Sequence, residues 1–302
     1  MSSGGRPVRL RLEFLAQDKP CPADGEPADI SSLDLVVEGC HLYGLILKPD
    51  GSYGRSRPCV ILLHGFPGVA RNDDLAQALR RIGCVVLTPH HRGAWGSEGK
   101  YLFSNCVEDA VRLAEYVRSP GFCREMGVDP DSIFLCGHSM GSNTALQAAR
   151  RLPWLRGTIL MTPYDPAYYL RTEREALFRE LLKDGRLLRS DGLEALYEDA
   201  AAHQEDYSFP GAFEDMKDRN LCFVVGGRDD TAPPEEMAEP LWNLLKDYET
   251  KAVQRYVSFD CGHCLCGVRF ALAECVGMFL KDVLEGTVCT PAVRGGNMRE
   301  KK

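Results

Sequence analysis

A serine between two glycines is the residue of this sequence whose surroundings best suit covalent chemistry. Ser139 is the centre of Gly137-His138-Ser139-Met140-Gly141, which follows the apolar run Ile133 to Cys136 and precedes an alanine-rich stretch with helical spacing. A strand, a tight turn and a helix in that order would strain the serine backbone and project its hydroxyl. The glycines would let strand and helix approach, and the helix N-terminus would favour developing negative charge. The pattern predicts a serine nucleophile, although G-x-S-x-G alone is a weak signal.

Further polar motifs also come directly after predicted strands. In chain order they are H-G-F-P-G at His64–Gly68, R-G-A-W-G-S-E-G at Arg92–Gly99, the serine turn, G-G-R-D at Gly226–Asp229 and C-G-H at Cys261–His263. A serine hydroxyl is a poor nucleophile near neutral pH, so it needs a base and a group that orients that base. The last two motifs contain an aspartate and a histidine that could serve in this way.

Taken together, these motifs resemble those of the α/β-hydrolase superfamily over residues 33 to 285. The sequence is most similar to the branch that includes prolyl-oligopeptidase-like and dienelactone-hydrolase-like enzymes. The resemblance implies a triad of Ser139, Asp229 and His263, in which His263 moves the proton and Asp229 fixes its tautomer. It also implies that the backbone N–H groups of Phe66 and Met140 form an oxyanion hole. No metal and no organic cofactor are implied.

The identity of the acid has two alternatives. Asp230 is adjacent to Asp229, and Asp165 follows the preceding strand, where some hydrolases place their acid. We favour Asp229 because G-x-x-D after the strand has the spacing of the family.

Other polar residues near the motifs have their own interpretations. We expect His64 to bond backbone groups around the oxyanion loop and Arg92 to brace its own loop. His90 stands where members of the family usually have aspartate, which puts the local loop bonding in doubt. His138 and Tyr164 are candidate substrate-binding residues, because one is next to the nucleophile and the other follows a strand at the catalytic edge.

Three cysteines flank the predicted catalytic histidine in C-G-H-C-L-C. Cys261, Cys264 and Cys266 suggest a metal site, but zinc sites usually need a second ligand pair at a distance, and none has matching spacing. We therefore predict free thiols around the catalytic loop and no bound metal.

The elements that must position these residues follow from short apolar runs that alternate with helical stretches. Strands are predicted at 33–37, 41–47, 59–63, 84–87, 133–136, 157–161, 221–225 and 253–259, and helices at 73–82, 107–117, 143–152, 234–246 and 270–284. The first two strands suggest an antiparallel start. Continuous apolar strands that alternate with helices indicate a parallel sheet covered on both faces. The sequence thus predicts an α/β fold with a mostly parallel, doubly wound sheet.

One insert, residues 164–219, interrupts this alternation, because it has helical patterns and no predicted strand. We expect a small, mainly helical cap there, between core segments 33–163 and 220–287, with an N-terminal extension at 1–32 and a disordered tail at 288–302. Two apolar stripes are predicted in the cap, one formed by Leu170, Leu177, Phe178, Leu181 and Leu182 and the other by Leu193, Leu196, Tyr197 and Ala200.

Composition limits the partners and the compartment. The chain has 302 residues, 44% of them hydrophobic, and 36 Lys and Arg against 43 Asp and Glu, a net charge of −7. These values are ordinary for a globular protein and argue against nucleic-acid binding. There is no apolar stretch of about 18–20 residues that could span a bilayer and no signal-peptide pattern. Thirteen scattered cysteines suit a reducing compartment, so we expect a cytoplasmic protein with no membrane partner.

Three hypotheses for function remain at this point. The first is a serine hydrolase that cleaves the ester of a small or medium neutral acid. The second is an aminopeptidase or short-peptide hydrolase with the same triad, suggested by 13 acidic against 8 basic residues in Pro166–Arg219. The third, disfavoured by an intact triad, is a catalytically silent binding module. The sequence is compatible with a monomer or a homodimer.

Overall fold

The fold is built on a single large sheet. The computed structural model describes residues 9–20, 23 and 25–286. In this part of the chain the strands are β1 (Asp29–Val37), β2 (Cys40–Lys48), β3 (Arg57–Leu63), β4 (Val85–Pro89), β5 (Val128–His138), β6 (Gly157–Met161), β7 (Leu221–Gly226) and β8 (Gln254–Phe259). They lie in the order β1-β2-β4-β3-β5-β6-β7-β8. β2 is antiparallel to both β1 and β4, and every other pair is parallel. The predicted fold class is confirmed.

Helices cover both faces of this sheet. The α-helices of the described residues are α1 (Asp73–Arg81), α2 (Phe103–Arg118), α3 (Pro120–Met126), α4 (Met140–Arg151), α5 (Tyr168–Arg171), α6 (Glu175–Leu182), α7 (Leu193–Ala202), α8 (Phe213–Met216), α9 (Pro234–Met237), α10 (Glu239–Leu245) and α11 (Arg269–Glu285). Short 3-10 helices occupy Leu12–Phe14, Gly51–Tyr53, Lys183–Leu187 and Pro210–Ala212. Along β3, Cys59, Ile61 and Leu63 belong to the core on the side of α2, α4 and α10, while Val60 and Leu62 belong to the core on the side of α1 and α11. This alternation explains why the strand is apolar throughout.

The antiparallel start of the sheet is a hairpin with a two-residue turn. Val37 pairs with Cys40, and the residues between them, Glu38 and Gly39, have φ angles of 49° and 77°. Positive φ at both turn positions gives the twist that matches the two strands. The predicted antiparallel start is confirmed.

Two helices differ from the prediction. The single helix expected at 234–246 is divided into α9 and α10, and Pro240 lies in the first turn of α10. A proline has no N–H to continue the hydrogen bonding of a preceding helix, which accounts for the break. Helix α3 was not predicted, although Ser119 caps it and Gly127 ends it with φ of 68°.

The insert 164–219 contains α5 to α8 and, in the structure, no strand. Its predicted stripes are wrong in part. α5 and α6 are separate helices, so Leu170 and Leu177 do not share a helical face, and Leu177 is 52% exposed. Phe178, Leu182, Leu196 and Ala200 of the two stripes are almost completely buried. The predicted stripes are thus correct for these four residues.

The chain termini complete the description. Leu10, Phe14 and Leu15, from the predicted N-terminal extension, are buried against α1 and α11. The predicted tail at 288–302 lies outside the described residues. Within the described ranges, none of the helices has the length and the apolar character that crossing a bilayer requires.

Candidate active site

The turn that carries Ser139 lies between the end of β5 and the start of α4. Ser139 has φ of 57° and ψ of −127°, a conformation that non-glycine residues rarely adopt and that costs about 1–3 kcal/mol. A Cβ on Gly137 would overlap the carbonyl of Gly141, and a Cβ on Gly141 would overlap the carbonyl of Leu63. Both glycines are therefore required by close backbone approach, as the sequence pattern predicts.

Hydrogen bonds to backbone carbonyl groups hold this strained turn. The N–H of Ser139 donates to the carbonyl of Met161 (2.9 Å). The hydroxyl of Ser142 lies 2.8 Å from the carbonyl oxygen of Gly137 and 3.0 Å from that of Met161. Ser142 is a residue that sequence reasoning missed, although it directly follows the quoted motif.

The predicted triad residues form one hydrogen-bonded row. Ser139 Oγ lies 2.8 Å from His263 Nε2, and His263 Nδ1 lies 2.8 Å from Asp229 Oδ2. The other oxygen of Asp229 accepts from the N–H groups of Thr231 (3.0 Å) and Ala232 (2.8 Å). The Asp229 side chain is fully buried and that of His263 is 16% exposed. This arrangement can deprotonate a serine hydroxyl while keeping the imidazole in one orientation.

The two alternative acids lie elsewhere. Asp165 is buried, pairs with Arg171 and accepts from the N–H of Ala167 (2.9 Å). Burial raises the pKa of Asp165 to about 6, against the opposing effect of Arg171. Asp230 is exposed. Of the three candidates, Asp229 is the one that the structure brings to His263.

The loop after β3 brings Phe66 beside the nucleophile. A Cβ on Gly65 would lie 2.9 Å from Ser139 Cβ, so this loop passes directly against the serine. Among the described residues, the backbone N–H groups of Phe66 and Met140 have no hydrogen-bond acceptor. Two free N–H groups beside one serine are suited to bind a developing oxyanion.

Side chains brace this loop from behind. The buried His64 donates from Nδ1 to the carbonyl of Gly65 (2.8 Å), and its Nε2 accepts from the N–H of His91 (3.3 Å). Desolvation, reinforced by His91, lowers the pKa of His64 well below its usual value, so the ring is neutral. The indole N–H of Trp95 donates to the carbonyl of Pro67 (2.9 Å). Trp95 is a second residue that the sequence reasoning missed, although it lies within a quoted motif.

The loop after β4 is fixed to α2. Arg92 bonds both oxygens of the buried Asp109, from its backbone N–H (2.8 Å) and from Nε (2.6 Å), and it also pairs with Glu38. The bracing expected of Arg92 is confirmed. His90 is buried, and Nδ1 of its ring has no partner among the described residues. Desolvation lowers the pKa of His90 to about 4, with Arg71 adding to the effect.

The two candidate substrate-binding residues are both buried. His138 is 4% exposed, and its Nε2 lies 3.2 Å from the carbonyl oxygen of His263. Desolvation lowers its pKa to about 4, so neutral His138 donates this bond and supports the histidine loop. Tyr164 is 2% exposed, and its N–H donates to the carbonyl of Ser139 (3.2 Å). Substrate could contact either side chain only if the covering residues moved.

The cysteines around His263 are free thiols in this structure. Burial raises the pKa of Cys261 and of Cys264. Within the described ranges, no three His, Cys, Asp or Glu side chains are grouped as metal ligands would be.

Comparison with known proteins shows what the chain is similar to. A family model described as serine aminopeptidase, S33, matches residues 54–201. Curated relatives include lysophosphatidylserine lipase ABHD12 of Danio rerio, 29% identical over 106 residues (34% of this chain and 26% of the relative). Monoglyceride lipase of Rattus norvegicus is 29% identical over 130 residues (42% of this chain and 41% of the relative). The aligned part of the chain thus spans less than half the length of these relatives.

A solved structure supports the same assignment. That of 2,6-dihydroxy-pseudo-oxynicotine hydrolase superposes with a TM-score of 0.65 at 18% identity, covering 88% of this chain and 71% of the other. At this identity the likeness concerns the fold alone. The similarity to the prolyl-oligopeptidase-like and dienelactone-hydrolase-like branch stays a prediction. By its strand order and this shared fold, the chain has an α/β-hydrolase fold, and the family model agrees with it over residues 54–201.

Proposed function

We propose that this protein is a serine hydrolase that cleaves a carboxylic ester through an acyl-enzyme intermediate. The observation that carries the proposal is the hydrogen-bonded row of Ser139, His263 and Asp229 at a strained turn. The free N–H groups of Phe66 and Met140 lie beside the same turn.

In the acylation step Ser139 Oγ attacks the ester carbonyl carbon while its proton passes to His263 Nε2. The buried carboxylate of Asp229 accepts the Nδ1–H bond and stabilises the imidazolium. The carbonyl oxygen becomes an oxyanion that accepts hydrogen bonds from the N–H groups of Phe66 and Met140, each typically worth about 3–4 kcal/mol. When the carbonyl re-forms, the alcohol leaves with the proton from His263, and the acyl group stays on Ser139.

In the deacylation step a water molecule takes the place of the alcohol. His263 accepts a proton from this water as the oxygen attacks the acyl carbon, and the same N–H groups bind the second oxyanion. Collapse releases the carboxylic acid and returns the proton to Ser139. The chemistry needs no group beyond those named.

An ester is favoured over a peptide as the substrate. Both curated relatives named above are lipases, although the family model carries an aminopeptidase description. An aminopeptidase needs a free carboxylate for the substrate amine, but Asp165 pairs with Arg171 and Glu236 pairs with Arg174. Neither of these two carboxylates is free to bind a substrate amine, and together with the lipase relatives this supports an ester of a neutral acid as the substrate.

The test compares the wild-type protein with Ser139→Ala on p-nitrophenyl esters of increasing acyl length and on aminoacyl anilides. We expect ester turnover that is lost in Ser139→Ala and retained in Ser190→Ala, a control serine of the cap. A fluorophosphonate should label the wild type at Ser139, as read by peptide mass spectrometry. Turnover that survives in Ser139→Ala would refute the mechanism. Efficient anilide cleavage that requires a free amino terminus would instead assign the protein to the peptidases.

A further inference from the structure

The side chain of Phe66 is held by aromatic rings. Its ring centroid lies 5.8 Å from that of Tyr101 and 5.6 Å from that of Phe103. Both of these residues are almost completely buried, so they cannot move aside without disturbing the core. The residue proposed to donate one oxyanion hydrogen bond is therefore packed on this side against a rigid wall.

The cap packs against the same ring. A Cβ on Gly185, in the 3-10 helix Lys183–Leu187, would lie 2.9 Å from Phe66 Cζ and 2.8 Å from Leu196 Cδ1. Gly185 is buried and does not have a positive φ. Any residue could adopt this backbone conformation. Glycine is therefore needed here only because a side chain would clash with its neighbours.

This part of the cap is tied to the loop that follows β4. The N–H of Arg189 donates to the carbonyl of Gly93 (2.8 Å), and the N–H of Tyr101 donates to the carbonyl of Arg189 (2.7 Å). Phe103 also contacts Phe178 of α6, with ring centroids 6.4 Å apart. The cap, the loop and the Phe66 ring therefore form one packed unit.

The backbone on both sides of Phe66, in the loop that follows β3, is held in place. Pro67 is held through its carbonyl by Trp95, and Gly65 lies against Ser139. Phe66 stands between these fixed neighbours. A displacement of its ring by several tenths of an ångström would be shared by the side-chain torsions and by the backbone that carries its N–H group.

We propose that Gly185 is a positioning residue, through which the docked cap sets the place of the Phe66 N–H group in the oxyanion hole. This inference rests on the function proposed above. It makes cap docking a condition of transition-state stabilisation and not only of substrate binding. A cap that lifted away would release the Phe66 ring and lower the rate of the chemical step.

The experiment measures kcat, KM and the melting temperature of Gly185→Ala on a short p-nitrophenyl ester. Removal of an oxyanion donor costs about 10²–10³ in kcat, so a misplaced donor should lower kcat by about tenfold, with KM and the melting temperature little changed. Gly121→Ala is the matched control, because a Cβ there has no neighbour within 4 Å. Combining Gly185→Ala with Phe66→Leu, which shortens one of the two clashing side chains but keeps the N–H, should recover part of the lost kcat.

Three results would overturn the proposal. They are an unchanged kcat in Gly185→Ala, a loss that Phe66→Leu does not relieve, and a rise in KM alone. If Gly185→Ala does not fold, Phe66→Leu by itself decides, since a loop without its ring anchor should also lose kcat, and full activity would contradict the proposal. Ser139→Ala keeps the two proposals apart. Its inactivity beside a fully active Gly185→Ala would reject only the positioning role.

Discussion

The turn around Ser139 and the cap over Phe66 are held by different kinds of contact. At the turn, backbone groups bond one another, as the N–H of Ser139 does to the carbonyl of Met161, and glycines allow backbones to touch. Apart from the two backbone hydrogen bonds of Arg189, the cap is held mainly by side chains. Phe178 lies 6.1 Å from Tyr197 between ring centroids, and exposed ion pairs such as Arg179 with Glu194 lie on its surface.

These contacts differ in strength and in what they permit. Exposed ion pairs contribute little to stability, and partly exposed side chains can change their rotamers, whereas two backbone segments in van der Waals contact cannot adjust. We therefore expect the nucleophile to stay fixed at the edge of the sheet while the cap yields first. The difference separates the tasks of the two regions, because the turn holds the reacting atom and the cap tunes its surroundings.

The largest effect is expected for a substitution in the catalytic row beside the Ser139 turn. Asp229→Asn should lower kcat by about 10⁴, because the amide no longer holds the histidine tautomer that accepts the serine proton. The melting temperature should change little by comparison. Steady-state ester hydrolysis and thermal unfolding of the same preparations measure both.

The neighbouring aspartate supplies the control for that substitution. Asp230→Asn changes an exposed carboxylate that is next in the chain and lies outside the triad row, so its kcat should equal that of the wild type. Equal losses in the two variants would contradict the assignment of the acid. So would an Asp229→Asn protein that keeps more than about a tenth of the wild-type kcat.

The next largest effect tests the backbone contacts themselves. Gly137→Ala places a methyl group on the carbonyl of Gly141, with no flexible side chain to give way. We expect the free energy of unfolding to fall by about 3 kcal/mol or more, the upper range for overpacking. Urea titration measures it, with Gly121→Ala as the control. A Gly137→Ala protein as stable as Gly121→Ala would show that the turn adjusts as readily as the cap.

The two regions also differ in how far the sequence predicts them. The turn was predictable because G-x-S-x-G after a strand imposes backbone contacts on neighbouring residues, and the roles of Asp229 and His263 came with the resemblance. The cap was predicted only as a helical insert. The close approach of Gly185 to Phe66 joins residues that are far apart in the chain. No local sequence pattern shows that a glycine is needed there to avoid a clash. The first stripe was correct only in part for the same reason, since tertiary packing buries Phe178 and Leu182 but leaves Leu177 exposed.

A smaller effect is expected in the pH dependence of stability, to which the two regions contribute in opposite directions. Around the turn, burial lowers the pKa of His64, His90 and His138. Between about pH 4 and 6.5 the unfolded chain then binds more protons than the folded protein, so these histidines make stability fall as the pH falls. At the base of the cap, the raised pKa of Asp165, about 6, acts in the opposite direction and stabilises the fold as it becomes protonated.

Two substitutions separate these contributions by the slope of stability against pH. His90→Asn removes one turn-side group, so the free energy of unfolding should fall less steeply between pH 7 and 5 than in the wild type. Asp165→Asn removes the opposing cap-side group and should make the fall steeper, whatever it does to absolute stability by breaking the pair with Arg171. Urea titrations at several pH values give the slopes. Parallel curves for all three proteins would mean that neither group has a different pKa in the folded and unfolded chains, and that acid acts on this fold through other residues.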